Sequence, residues 1–360
     1  MNGADHRVVV VTGASAGVGR ATVRAFAKRG CSVGLIARGT EGLEAAANEV
    51  RAEGLHAVAV PTDVADPEAV ERAADQIERG LGPIDVWVNA AMTTIYAPLA
   101  EITPQEYKRA TEVTYLGFVY GTMAALRRMR RRDPGTIIQV GSALSYRAIP
   151  LQAPYCGAKF AIRGFTDSLR SELIHDGSNV HITMVQMPGL NTPQFEWGRN
   201  KLPKKPQPVP PIFQPEVAAD AIVYASLARR RGVWVERSTF GAVLANKFFP
   251  GFLDHYLASA AYKGQLSDRP AQPNAPDNLF KPVAGDFGAH GPYDSKATSH
   301  LDVRTPVLPW LVSSGVAMAL FLLMSPKRQS RRVSTRRIPR SVRVLEPGPS
   351  EAADEVVVVR

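Results

Sequence analysis

The residues of this 360-residue chain whose types and spacing could do chemistry concentrate between Ser142 and Lys159, in the stretch SALSYRAIPLQAPYCGAK. Tyr155 and Lys159 stand four apart, so on a helix they share a face. A phenol with an ordinary pKa of about 10 is a poor proton shuttle at neutral pH. An ammonium about 4 Å away is worth up to roughly 4 kcal/mol at an effective dielectric near 20, enough to lower that pKa by about two or three units. The pair therefore predicts acid/base chemistry at the phenol. Ser142, at the end of the apolar run Thr136 to Gly141, offers a hydroxyl to hold the oxygen that Tyr155 protonates. The spacing YxxxK is most often an ordinary surface pair, so the surrounding elements must decide the matter.

Those elements have a consistent order. Ala158, Ile162, Phe165, Leu169 and Leu173 recur at steps of three and four, which predicts a helix carrying Tyr155 and Lys159 at the edge of its buried stripe. At the other end of the chain, Arg7 to Thr12 is a β-branched run suited to a strand buried on both faces. TGASAGVGRATVRAFAKRG follows it, with Gly13, Gly17 and Gly19 in a turn and helical spacing after them. Strand, glycine turn and helix N-terminus make a site for the phosphates of a dinucleotide. Ser32 to Ala37 predicts the second strand and closes on Arg38 with no acid. A basic residue there suits a ribose 2′-phosphate, which favours NADP, with NAD as the alternative and a solvated surface arginine as the plainer reading. Ala57 to Pro61 predicts a strand ending in Thr62, Asp63 and Val64, where Asp63 is placed to reach an adenine amino group. Ile84 to Asn89 is a further strand, and Thr40 to Glu53 and Pro67 to Arg79 predict helices. The alternation argues for an α/β fold, a doubly wound parallel sheet of Rossmann type with about seven strands, followed by a C-terminal extension.

With these pieces in order the chain resembles the classical short-chain dehydrogenase/reductase family, nicotinamide-dependent oxidoreductases. The resemblance runs over roughly the first 260 residues and is carried by TGASAGVG at Thr12 to Gly19, Asp63-Val64, Asn89, Ser142, YCGAK at Tyr155 to Lys159, and PGLNT at Pro188 to Thr192. It implies hydride transfer between nicotinamide and a carbonyl or secondary alcohol, with Tyr155 as general acid/base and Ser142 as anchor of the substrate oxygen. Lys159 would bind the nicotinamide ribose and depress the tyrosine pKa. Gly13, Ser15, Gly17, Val18, Gly19, Arg38, Asp63, Val64, Pro188, Gly189 and Thr192 would hold the cofactor, and Asn89 would fix the sheet and the cofactor loop. A homodimer or homotetramer is also implied.

Two positions depart from the family. Its NNAG stretch is Asn89, Ala90, Ala91, Met92 here, and Thr114 replaces a catalytic asparagine that supports a water leading to the lysine. A threonine hydroxyl is shorter and has a single donor. Asn191 is the nearby amide that would compensate. A non-catalytic NADP-binding sensor or membrane scaffold with a decayed proton relay is the competing class.

The segment after Thr192 is dense in proline and carries Phe195, Trp197 and Phe213, which predicts a stiff apolar wall over an apolar, lipid-like substrate; a polyproline docking segment is the plainer reading. Glu216 to Leu227 predicts a helix, Gly232 to Glu236 a seventh strand, and Gly241 to Tyr262 a helical stretch that closes a domain spanning residues 1–262. Residues 263–305 are rich in proline and glycine and predict an extension that drapes over the domain, with Phe280 and Phe287 as anchors. Pro306 to Met324 has no charge, and at 1.5 Å per residue reaches about 28 Å, a marginal membrane span. The tail 325–360 holds nine Lys or Arg against four Asp or Glu, so half of the formal charge of +10 sits there. That pattern points to membrane contact through residues 306–343, with open topology, rather than to nucleic acid. Two isolated cysteines, Cys31 and Cys156, suit a reduced, cytoplasmic catalytic domain without structural zinc or another metal.

Overall fold

The structure, a computed structural model, describes residues 6–272, 275–300 and 303–304. The described residues all belong to one compact unit. The expected membrane segment 306–324, the basic tail 325–360 and the contact region 306–343 lie outside the described residues. No described helix is long and apolar enough to cross a membrane.

Seven parallel strands form the centre: β1 (Val8–Thr12), β2 (Ser32–Ala37), β3 (Ala57–Pro61), β4 (Ile84–Asn89), β5 (Gly135–Ser142), β6 (Val180–Met187) and β7 (Gly232–Val235). They lie in the order β7-β6-β5-β4-β1-β2-β3, and a short antiparallel strand β8 (Val303–Arg304) covers β7. The reversal of order beside β1 is the switch point at which such sheets take ligands.

Helices α1 (Gly17–Ala27), α2 (Thr40–Ala52), α3 (Pro67–Leu81), α4 (Pro104–Thr111), α5 (Gly117–Arg132), α6 (Ala153–His175) and α7 (Pro215–Leu227) pack around the sheet. The pleat divides β1 between two cores: Val9 and Val11 meet Phe26, Leu43 and Ile222, while Val8 and Val10 meet Val70, Ile77 and Met129. Because α6 lies beneath the second core through Leu169 and Leu173, its first turns are fixed against the carboxyl end of β5. The stretch 241–262 forms parts of two helices, α8 (Glu236–Phe248) and α9 (Pro250–Gly264), broken at Pro250.

The proline- and glycine-rich extension returns to the domain at several points. Leu266–Pro270 pairs with Lys204–Pro206, and Ala297–Thr298 adds to a small sheet with Ile212–Phe213 and Gly189–Leu190. Its apolar anchor is Leu279, fully buried with Ile95, Ala97 and Ala110. Phe280, expected as an anchor, is 48% exposed, its ring facing the Arg199 guanidinium at 5.2 Å, while its neighbour Leu279 takes the buried position.

Candidate active site

Glycine sets the floor of the site. Gly13 has φ +72, and a Cβ on it would lie 2.8 Å from the Cα of Ala91, while one on Gly19 would lie 2.1 Å from the carbonyl oxygen of Gly13. Only glycine lets the turn, the helix and the loop after β4 come this close. Helix α1 begins at Ala16–Gly17 with no side-chain cap, and its first amide, that of Gly17, donates to the Gly288 carbonyl at 3.0 Å. Thr12 Oγ1 accepts the Ala90 and Ala91 amides at 3.0 and 3.2 Å, joining the two loops.

Above this floor lies a cavity of about 510 Å3. Gly13, Ser15, Gly17, Val18, Gly19, Arg38, Val64, Ser142, Tyr155, Lys159, Pro188, Gly189 and Thr192 all line it, so most of the expected site residues are brought together. A glycine floor that admits a backbone-close ligand, a helix N-terminus without a side-chain cap and an arginine at the end of β2 suit a dinucleotide phosphate chain and ribose.

Ser142, Tyr155 and Lys159 meet in the cavity lining. The Ser142 hydroxyl caps the following turn by accepting the Leu144 amide at 3.1 Å. Lys159 is 2% exposed; its Nζ donates to the Val140 carbonyl at 2.7 Å and lies 4.6 Å from the Phe118 ring centroid and 5.4 Å from that of Tyr155. Burial pushes the lysine down to about 7. Burial also pushes the Tyr155 phenol above its ordinary range, with Ser142 acting the other way and Cys156 adding to the rise. The phenol is therefore not acidified as expected: burial is the largest cause at both groups and holds each toward its neutral form. Cys156 is the packed thiol expected, raised to about 11 by burial, with Sγ toward the Ile149 carbonyl.

Four expected residues stand elsewhere. Thr114 sits in a widened helical turn, Glu112–Leu116, fully buried. Its hydroxyl donates to the Thr93 carbonyl at 2.8 Å and accepts the Thr93 amide at 3.0 Å, so it positions the loop after β4. Asp63 is not on the cavity wall; its carboxylate pairs with Arg109 and accepts the Ala65 amide at 3.0 Å. Asn89 is fully buried and bonds to Trp87, Thr122 and Gln139, a structural knot between β4, β5 and α5, in keeping with a role in fixing the sheet. Asn191 donates to Gln214 and Asp294 and accepts the Tyr293 amide, facing the extension rather than Lys159.

The apolar lining of the cavity includes Leu144, Ile149, Leu190, Phe195, Trp197 and Val209, with Tyr256 and Leu257 of α9. Phe213 is absent from that wall: it is buried in the core with Val217 and Leu190, because its strand pairs with Gly189–Leu190. The extension supplies lining residues that sequence reasoning did not place there, Asn278, Pro282, Val283 and Gly285, beside Phe287, which was expected only as an anchor. Their signal was the dense run of glycine and proline in NLFKPVAGDFGAHGPYD.

The short chain dehydrogenase family profile matches residues 7–201. The uncharacterized oxidoreductase YxnA of Bacillus subtilis is 31% identical over 321 residues, covering 86% of this chain and 90% of the relative. The 3-dehydrosphinganine reductase of Danio rerio is 31% identical over 231 residues, 62% of this chain and 68% of that protein. Among solved structures, the alcohol dehydrogenase of the archaeon Thermococcus sibiricus complexed with 5-hydroxy-NADP superposes with a TM-score of 0.55 at 26% identity, over 64% of this chain and 96% of the other.

Proposed function

The chain belongs to the short-chain dehydrogenase family, and from that premise we propose that it reduces an apolar ketone with NADPH, using Tyr155 as proton donor. The observation that carries the reading is that Ser142, Tyr155 and Lys159 line the same cavity as the glycine turn. The nicotinamide, when bound, supplies the hydride for the carbonyl carbon. The chain's own residues manage the oxygen. Ser142 orients it, and Tyr155 gives it the phenol proton. A phenol kept protonated by burial serves the reductive direction at neutral pH, since oxidation would need it deprotonated. Lys159, poised near neutrality, reaches the cavity between the phenol and Val140 and would hold the nicotinamide ribose.

Arg38 supports NADP over NAD. Its guanidinium is half-buried, its pKa lowered by burial against the opposing pull of the Asp63 carboxylate, and its hydrogen bonds go to the neutral carbonyls of Asn278, Leu279 and Phe280. A desolvated cation with neutral acceptors gains most from an anion such as a 2′-phosphate. The 5-hydroxy-NADP in the archaeal structure agrees with that choice. The Danio rerio relative, named as a reductase, agrees with the direction. The apolar lining of the cavity supports an apolar substrate. Assembly as a homodimer or homotetramer and membrane contact through residues 306–343 belong to the same proposal and rest on the family resemblance and on the apolar and basic stretches.

One observation favours the competing sensor: the Thr114 hydroxyl is committed to the Thr93 backbone and not to Lys159. Purified full-length protein with NADPH and a panel of long-chain and cyclic ketones separates the two readings. Ketone-dependent oxidation of NADPH, lost by at least about 100-fold in Tyr155→Phe while NADPH still binds, supports the reductase. NADPH binding with no turnover on any ketone supports the sensor.

A further inference from the structure

Residues 277–294 cross the open side of the cavity and are fastened to the loops that would hold the dinucleotide. At the β2 end, the Asn278 amide donates to the Trp197 carbonyl at 3.0 Å, and Thr93 Oγ1 donates to Asn278 Oδ1 at 3.0 Å. Arg109 donates to the Leu279 carbonyl at 3.1 Å, and Arg38 is bound to the carbonyls described above. Beside the glycine turn, Arg20 pairs with Asp286 at 3.2 Å and the Gly17 amide donates to the Gly288 carbonyl at 3.0 Å. At the β6 end, the Gly291 and Tyr293 amides donate to Asn191, its backbone carbonyl at 3.3 Å and its Oδ1 at 3.0 Å. Ala289 is buried against Ala21 and Ala219. Between these fastenings Pro282, Val283, Gly285 and Phe287 face the cavity, and the Phe287 ring meets Trp197 edge-on with centroids 4.4 Å apart.

The fastening points follow the line of the expected cofactor, from the end of β2 past the α1 amide end to the loop after β6. We propose that residues 277–294 form the outer wall of the dinucleotide site and retain the cofactor between turnovers, so that exchange waits on release of this strap. The inference rests on the NADPH reading. A dinucleotide in this cavity has the sheet ends beneath it and the strap above it, and leaving requires the strap to part from at least one fastening. The stretch that does this lies beyond the residues matched by the family profile.

The test follows NADPH dissociation from the loaded full-length protein, by decay of reduced-nicotinamide fluorescence after mixing with excess NADP+. Leu279→Ala removes the buried anchor, and Asp286→Ala removes the Arg20 pair. The strap predicts dissociation at least tenfold faster in Leu279→Ala and severalfold faster in Asp286→Ala. Asp286 is 42% exposed, so this variant keeps the test intact if Leu279→Ala does not fold. NADPH bound by the parent and released within twofold of its rate by the folded variants overturns the strap alone. Tighter NADPH binding in the variants also overturns it, since the segment would then obstruct the site. A parent that binds no NADPH overturns the dehydrogenase reading and the strap together.

Discussion

Lys159→Met should raise the stability of the protein while removing its activity, and the gain should fade as the pH rises. Burial takes this lysine from its ordinary 10.5 to about 7. At ~1.4 kcal/mol per pH unit, that gap is a penalty on folding of about 5 kcal/mol. The sign follows from proton counting. Between about pH 7 and 10.5 the unfolded chain holds the proton and the folded chain does not, so stability rises with pH across this window. Below the window the penalty is carried in full. Methionine fills much the same volume against Phe118 without titrating, but it leaves the Val140 carbonyl, now 2.7 Å from Nζ, without that donor. An unsatisfied buried acceptor costs about 1–3 kcal/mol. With the lysine half-titrated at pH 7, the net expectation is a gain of roughly 1–3 kcal/mol at pH 7 that shrinks by about 2 kcal/mol at pH 9. Urea unfolding of parent and variant at both pH values, with unchanged slopes, measures it. A difference that is constant between pH 7 and 9, or that grows with pH, would refute the argument that desolvation dominates at this lysine.

Arg38→Ser should cost NADPH at least about tenfold in kcat/KM and leave NADH within a few-fold, since each lost charge-assisted bond is worth about 1.5–3 kcal/mol; equal losses for the two cofactors would deny Arg38 the 2′-phosphate. Thr114→Val keeps the shape but strips both bonds to Thr93, and urea melts should show a loss of about 2–4 kcal/mol. A variant as stable as the parent would show that the loop after β4 does not depend on this hydroxyl. Glu106 is held at about 2, burial being outweighed by Lys201, the Thr103 amide and Arg199. Its stabilisation is present above its ordinary 4.5 and is lost as the pH falls toward 2, so Glu106→Gln should flatten the acid side of the stability curve by at most about 3 kcal/mol, less screening at the partly exposed partners. Parallel acid curves for parent and variant would contradict it.

The fold was legible because its signals are local. Arg7 to Thr12 reads as a strand buried on both faces, the glycine turn follows directly, and the stripe Ile162, Leu169, Leu173 marks a helix whose first turns carry Tyr155 and Lys159. Ser142 was reachable because it ends a strand. Distant partners escaped. Nothing beside Asp63 in the chain announces Arg109, 46 residues on, and nothing beside Arg38 announces carbonyls some 240 residues away. The protonation of Tyr155 was misjudged because a pairwise Coulomb estimate omits the dry surroundings in which both charges would have to form. Phe213 and Phe280 were misplaced for a different reason: aromatic type signals burial or a wall, but only strand pairing and the neighbouring Leu279 decide which way each ring turns.

Strand β8 gives the length of the chain a practical meaning. It pairs with β7 at the rim of the central sheet, about 70 residues after β7 in sequence. A protein trimmed at Tyr262, the end expected for the domain, would have a raw rim with unpaired backbone amides and carbonyls, an invitation to intermolecular pairing. The smallest version worth purifying therefore ends no earlier than Arg304, and a shorter one that clumps would report on its missing border strand, not on its catalytic residues.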